Sequence, residues 1–190
     1  MIMRSVAEAV LREIDALRPG KERLLVAIDG RSASGKTTLA ALLQERCGCD
    51  VVHIDSFFLR PEQRTAQRLA EPGGNVDRER FAEEVLAPLG RGEPFSYRPF
   101  DCKIQELMEP IHIAPRPITV VEGAYSCHPQ LAGSYDLTVF LSVGRAEQAR
   151  RILARNGKAG AAAFAEKWIP LEERYFAACQ TEERCDLSFG

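Results

Sequence analysis

The sequence predicts an α/β domain in which a parallel sheet of about five strands is covered by helices on both faces. Three observations carry this. Runs rich in Val, Ile and Leu recur at 24–28, 51–55, 118–123, 137–143 and 185–189, unbroken rather than alternating with polar residues, which is the pattern of strands buried on both sides. Stretches with helical spacing lie between these runs. Finally, Gly30-Arg31-Ser32-Ala33-Ser34-Gly35-Lys36-Thr37 fits the G-x-x-x-x-G-K-[ST] pattern and sits between an apolar run and a helical stretch, the context that pattern requires.

The elements follow in order. Met1 to Ala16 carries Val6, Ala9, Val10 and Ile14, with Leu17 beyond it, at helical spacing with scattered charge, so it reads as an amphipathic helix and not as a signal peptide. Leu24 to Ile28 forms the first strand and Leu39 to Leu43 the helix after the loop. Val51 to Asp55 is the second strand. A helix is expected from Asp77, a capping residue, with Phe81, Val85, Leu86 and Leu89 on one face and Gly90 ending it. Residues 93–117 hold Pro94, Pro99, Pro110, Pro115 and Pro117 among aromatic residues, which excludes a helix and predicts an irregular or hairpin insertion that selects an acceptor. The strand ending at Glu122-Gly123 and the one ending at Val143 come next. A helix with Arg150, Arg151 and Arg155 leads into small residues at 156–161 with Gly157 and Gly160, read as a closing lid over about 151–166 or as a plain flexible loop. Trp168, Leu171 and Tyr175 repeat at helical spacing and read as packing.

At 190 residues, 45% apolar and 27% charged, the chain has the size and composition of one globular domain, 1–190. A net charge of −2 gives no argument for nucleic acid or membrane as partner, and no apolar run is long enough to cross a bilayer. The six Cys contain no C-x-x-C pair, so they read as small buried apolar residues, and the cytoplasm is the expected location. His53, His112 and His128 have no metal-ligand spacing. Cys127 and His128 are neighbours in sequence only, which makes no catalytic pair.

Chemistry concentrates at the carboxyl ends of the strands, where open α/β sheets bind ligands. Gly30, Ser32, Ser34, Gly35, Lys36, Thr37 and Thr38 are the expected nucleotide contacts: backbone N–H groups cradle phosphates, Lys36 offers an ammonium and Thr37 a hydroxyl for Mg²⁺. Asp55 is placed to accept a proton from an acceptor hydroxyl or to orient Mg²⁺; an N-cap or surface-turn Asp is the alternative. Glu122, ending a buried strand, is expected to hold Mg²⁺ directly or through water. Arg151 and Arg155, four apart, share a face and could reach the transferring phosphoryl group, while Arg150 reads as solvated.

These residues together resemble the uridine kinase family, within the group that includes phosphoribulokinase and bacterial pantothenate kinase. The resemblance runs over A-I-D-G-R-S-A-S-G-K-T-T at 27–38, H-I-D-S-F-F at 53–58, N-V-D-R-E-R-F at 75–81, the Tyr97 region, V-V-E-G at 120–123, D-L-T-V-F-L at 136–141, the arginine helix and C-D-L-S-F at 185–189. It implies a three-layer P-loop sandwich with strand order 2-3-1-4-5. It also implies ATP and Mg²⁺ as cofactors, and Asp55 acting on a nucleoside hydroxyl with Asp77 on the ribose. Phe58, Tyr97 and Cys102 fall in the acceptor region. Phe58 stands where uridine kinases usually have Tyr, and Cys102 where they have His, which removes two directional donors. The expected activity is transfer of a phosphoryl group from ATP to a small-molecule hydroxyl. A nucleoside is the first acceptor, and pantothenate, a pyridine nucleoside or a sugar are alternatives. A nucleotide-binding regulatory protein without turnover is the reading from another class. The sequence allows a homo-oligomer without requiring one.

Overall fold

The computed structural model describes residues 3–190. Five strands, β1 (Leu24–Gly30), β2 (Asp50–His53), β3 (Ile118–Glu122), β4 (Leu137–Leu141) and β5 (Leu187–Phe189), pair parallel throughout in the order β2-β3-β1-β4-β5. Four further short strands precede β3 in the chain, so a count that includes them gives different numbers to the same order. β1 is central, with Val26 opposite both Val120 and Leu137. Its Val26, Ala27 and Ile28 are fully buried, which explains the unbroken apolar run.

On one face lie α1 (Met3–Leu17), burying Val6, Ala7, Val10 and Ile14, and α2 (Lys36–Cys47), burying Leu39, Ala40 and Leu43. Gly48, at φ 66°, ends α2 and returns its N–H to the Gln44 carbonyl. The other face is aromatic, packed with Phe57, Phe81, Tyr97, Phe140, Tyr175 and Phe176. Phe81 lies in α3, where Arg78–Phe81, a π turn at Ala82–Leu86 and Ala87–Arg91 run on as one helix. Asp77 caps it by accepting the Arg80 N–H. The helix passes through Gly90, which meets nothing, and stops at Gly92 in the left-handed region. Glycine alone did not mark the end.

Other boundaries also move. β2 stops at His53, and Asp55 lies in the single 3₁₀ turn Ile54–Phe57 that follows. β4 ends at Leu141 and β5 begins only at Leu187. The 93–117 insertion is a nested pair of hairpins, Phe95–Tyr97 against Ile111–Ile113 and Phe100–Asp101 against Glu106–Leu107. The small-residue segment is not a loop: helix α4 (Arg145–Ala163) runs through it, broken at Gly157, whose φ of 68° and ψ of −178° are non-helical. Alanines on both sides sustain the helix while glycine permits the break. A π turn, Phe164–Trp168, then joins α5 (Ile169–Cys179). All six thiols are free, but only Cys49 and Cys127 are buried and Cys102 is exposed. Among the described residues no helix is long and apolar enough to cross a membrane.

Candidate active site

The phosphate loop leaves β1 through alternating left-handed positions, Ala33 at φ 61° and Gly35 at φ 108°, which turn successive N–H groups inward. Gly30 is required by a neighbour: a Cβ there would lie 2.0 Å from the Leu141 carbonyl oxygen. Lys36 Nζ donates to the carbonyls of Gly30 (2.7 Å) and Arg31 (3.1 Å), across the mouth of the loop. Ser34 is buried in the loop with its hydroxyl unpartnered.

At the end of β3, Glu122 is buried, yet its Oε1 accepts the Thr37 hydroxyl at 3.1 Å and lies 2.5 Å from His53 Nδ1. The hydrogen bond to Glu122 holds the His53 imidazole above its ordinary pKa. Gly123 explains the E-G pair, because a Cβ there would meet Ile54 Cγ2 at 2.7 Å and Asp55 Oδ1 at 3.1 Å. Without a side chain, the Asp55 carboxylate can approach the end of β3. Solvent reaches Asp55 through the cleft, but the protein packed around it raises its pKa, with Glu122 adding to the rise and Lys36 opposing it.

Lys36, Thr37, Thr38, Asp55, Glu122, Arg151 and Arg155 line one cavity of about 620 Å³, together with Ser32 and Gly35. Gly30 and Ser34 shape the loop from behind it. Arg151 Nη1 donates to the Ala33 carbonyl at 3.0 Å and Nε to Glu147 at 2.7 Å. Arg155 lies over the Phe164 ring, 5.5 Å from its centroid, with Nε on Asn156 Oδ1. Arg150 pairs only with Glu147 and stays out of the cavity.

A second cavity of about 610 Å³ adjoins the first, and Phe58, Cys102 and Trp168 face both. Phe58 and Trp168 lie with ring centroids 6.1 Å apart. Asp77 and Tyr97 line neither cavity. Asp77 is buried, its two oxygens taken by the Arg80 N–H (3.1 Å) and Gln63 Nε2 (2.6 Å). Tyr97 packs between Phe57 and Phe95.

Several contributors were hidden in the sequence. Trp168 and Leu171, whose spacing suggested packing, line the second cavity. His53 touches the Glu122 carboxylate. Asp29, at the end of β1, does not face the cleft: fully buried, it accepts from the N–H groups of Gly30 (2.6 Å), Tyr125 (3.1 Å) and Cys127 (2.8 Å) and from the Tyr175 hydroxyl (2.9 Å). Burial pushes its pKa up while those donors oppose the rise. It fixes the loop after Glu122, including Tyr125, held at an unfavourable φ of 78° on the cavity wall. Glutamates on α5 grip the phosphate loop, Glu172 through Ser32 and Glu173 through Arg31, the latter at 2.8 Å.

No family model matches the chain. A solved structure described as a possible uridine kinase from Bacillus stearothermophilus superposes with a TM-score of 0.76 at 19% identity, covering 100% of both chains. D-glycerate 3-kinase from Cryptococcus neoformans gives 0.62 at 17% identity over 91% of this chain and 88% of that one. The chain folds as a P-loop kinase. In sequence, this P-loop kinase fold is similar to dephospho-CoA kinase of Thermus thermophilus, 26% identical over 148 residues, spanning 72% of this chain and 70% of that protein.

Proposed function

We propose that the protein is a kinase that transfers the γ-phosphoryl group of ATP, with Mg²⁺, to a hydroxyl of a small metabolite. One observation carries the reading: the Asp55 carboxylate shares a cavity with the phosphate loop, the Thr37–Glu122 pair and two arginines. A carboxylate beside the phosphate loop whose pKa the surrounding protein raises is placed to take a proton from an acceptor hydroxyl.

Each side chain then has a task. The loop N–H groups and Lys36 hold the phosphates, Lys36 exchanging its carbonyl partners for phosphate oxygens. Thr37 and Glu122 are hard oxygen donors 3.1 Å apart, a set that fits Mg²⁺, which when bound neutralises charge between the phosphates. Asp55 takes the proton of the acceptor hydroxyl as its oxygen bonds to phosphorus and the bond to the ADP oxygen breaks. Its raised pKa makes it a better base than an ordinary carboxylate. Arg151 and Arg155 spread guanidinium charge toward the transferring group. The resemblance to uridine kinases points to a nucleoside acceptor, whereas the side chains around the second cavity favour another class.

The test is ADP release from ATP and Mg²⁺ across a panel of nucleosides, sugars and hydroxy acids, compared with the background without acceptor. An acceptor-dependent rise that Lys36→Met abolishes supports the kinase. A regulatory nucleotide-binding module gives the background alone.

A further inference from the structure

From the second cavity we infer that the acceptor is an anionic alcohol, with its hydroxyl at Asp55, an apolar body lying along the wall that Phe58 and Trp168 form together, and a carboxylate or phosphate at the far end. This assignment deepens the kinase reading and rests on it.

The charge around this cavity is lopsided. Arg64, Lys167 and Arg174 line it, against a single carboxylate, Glu166. Among the described residues none of the three cations is in a salt bridge, although most arginines around the cleft are paired, Arg31, Arg68, Arg78, Arg80 and Arg151 among them. The two guanidiniums are held by backbone instead. Arg64 donates Nε to the Leu59 carbonyl at 3.0 Å and lies 5.8 Å from the Phe100 ring centre. Arg174 donates Nη2 to the carbonyls of Leu69 (2.9 Å) and Glu71 (3.3 Å). Carbonyls orient a guanidinium without neutralising it, so both keep full charge and free N–H groups. Lys167 sits over Trp168, 4.5 Å from the ring centroid. Three oriented, unneutralised cations around one concavity are the recognition chemistry of an anion.

The rest of the wall sets the body of the ligand. Phe58, Leu59, Leu69, Trp168, Pro170 and Leu171 are apolar, and the first cavity is reached past Phe58, Cys102 and Trp168. A nucleoside fits this lining poorly. Asp77, which the resemblance would place on a ribose diol, is buried, lines neither cavity and already accepts from Arg80 and Gln63, and Tyr97 packs in the core.

Trp168 is the only tryptophan of the chain and stands where the two cavities meet, so its fluorescence in the absence of nucleotide reports on ligands entering there. Titrations use glycerate, pantoate, pantothenate and glycerol phosphate, each against an uncharged counterpart (glycerol, pantolactone, panthenol), with uridine alongside. We expect at least one of the anions to bind about tenfold more tightly than its counterpart, as one charge-assisted hydrogen bond predicts. Arg174→Gln and Arg64→Gln should each reduce that ratio. Glycerol phosphate against the carboxylates identifies the head group. Equal binding of charged and neutral members, tighter binding of uridine, no binding of any anion, or an anion preference that survives in both variants overturns the assignment. The kinase reading fails separately, when a bound anion yields no phosphorylated product with ATP and Mg²⁺; phosphorylation of uridine in preference to every anion keeps the kinase and removes the anionic acceptor.

Discussion

The carboxylate of Glu172 holds both donors of Ser32, the backbone N–H at 2.9 Å and the hydroxyl at 2.5 Å, so helix α5 grips the phosphate loop at the wall of the cavity that the two residues line together. Gln148 completes the grip by donating to the Ser32 carbonyl at 3.0 Å. Burial raises the Glu172 pKa and Ser32 opposes the rise, so the charged form is costly and the two donors are what make it tolerable.

Glu172→Ala therefore leaves a half-buried N–H and hydroxyl without their partner and should cost roughly 1 kcal/mol of stability. Glu172→Gln retains an acceptor for the N–H and a donor for the hydroxyl while removing the buried charge, and should cost clearly less. Thermal denaturation at neutral pH compares the two. Equal losses would mean that the charge, and not the pair of hydrogen bonds, secures the loop.

Asp55 separates chemistry from binding. Because Asp55 lines the cleft without the hydrogen bond to Thr37 that Glu122 makes, Asp55→Asn should lower kcat by about a hundredfold or more. ATP affinity should stay within a few fold. Titration of nucleotide against the variant, alongside single-turnover rates, checks both halves. A large loss of Mg²⁺-dependent nucleotide affinity with kcat intact would move Asp55 to the metal site.

Much of this was legible in the sequence because the signals were local. The strand-loop-helix run around Lys36, the buried runs of the sheet and the Asp77 cap are set by neighbours within a few residues. What was not legible depended on distant partners. Asp29 stands beside the loop in the sequence, but three backbone N–H groups and a hydroxyl 146 residues away draw it inward. Trp168 and Leu171 have the spacing of core residues, and only the fold around the turn before α5 shows that they line the second cavity. The break at Gly157 needed the helix on both sides to be known.

The three arginines of α4 should differ as their contacts do. Arg151 touches the Ala33 carbonyl and Arg155 lines the cavity, whereas Arg150 meets only the exposed Glu147. Arg151→Ala and Arg155→Ala should reduce kcat by roughly tenfold or more, with smaller effects on nucleotide affinity, and Arg150→Ala should stay near wild type. Steady-state kinetics of the three variants decides. Equal small effects throughout would make the whole helix face a solvated one.

The last expectation concerns acid stability. His128 is buried, its Nδ1 accepting the Gln130 N–H at 3.2 Å and its Nε2 3.2 Å from Arg78 Nη1. Burial, reinforced by the Arg78 charge, lowers its pKa from 6.5 to about 4. A histidine depressed in this way binds fewer protons in the folded state than in the unfolded one, so its neutral form imposes no penalty above about pH 6.5, and stability declines as the pH falls from there toward 4. His128→Asn keeps an acceptor for Gln130 without a titrating group. Melting temperatures across that window should fall more steeply for the wild type than for the variant, and parallel curves would show that His128 does not stay neutral beside Arg78.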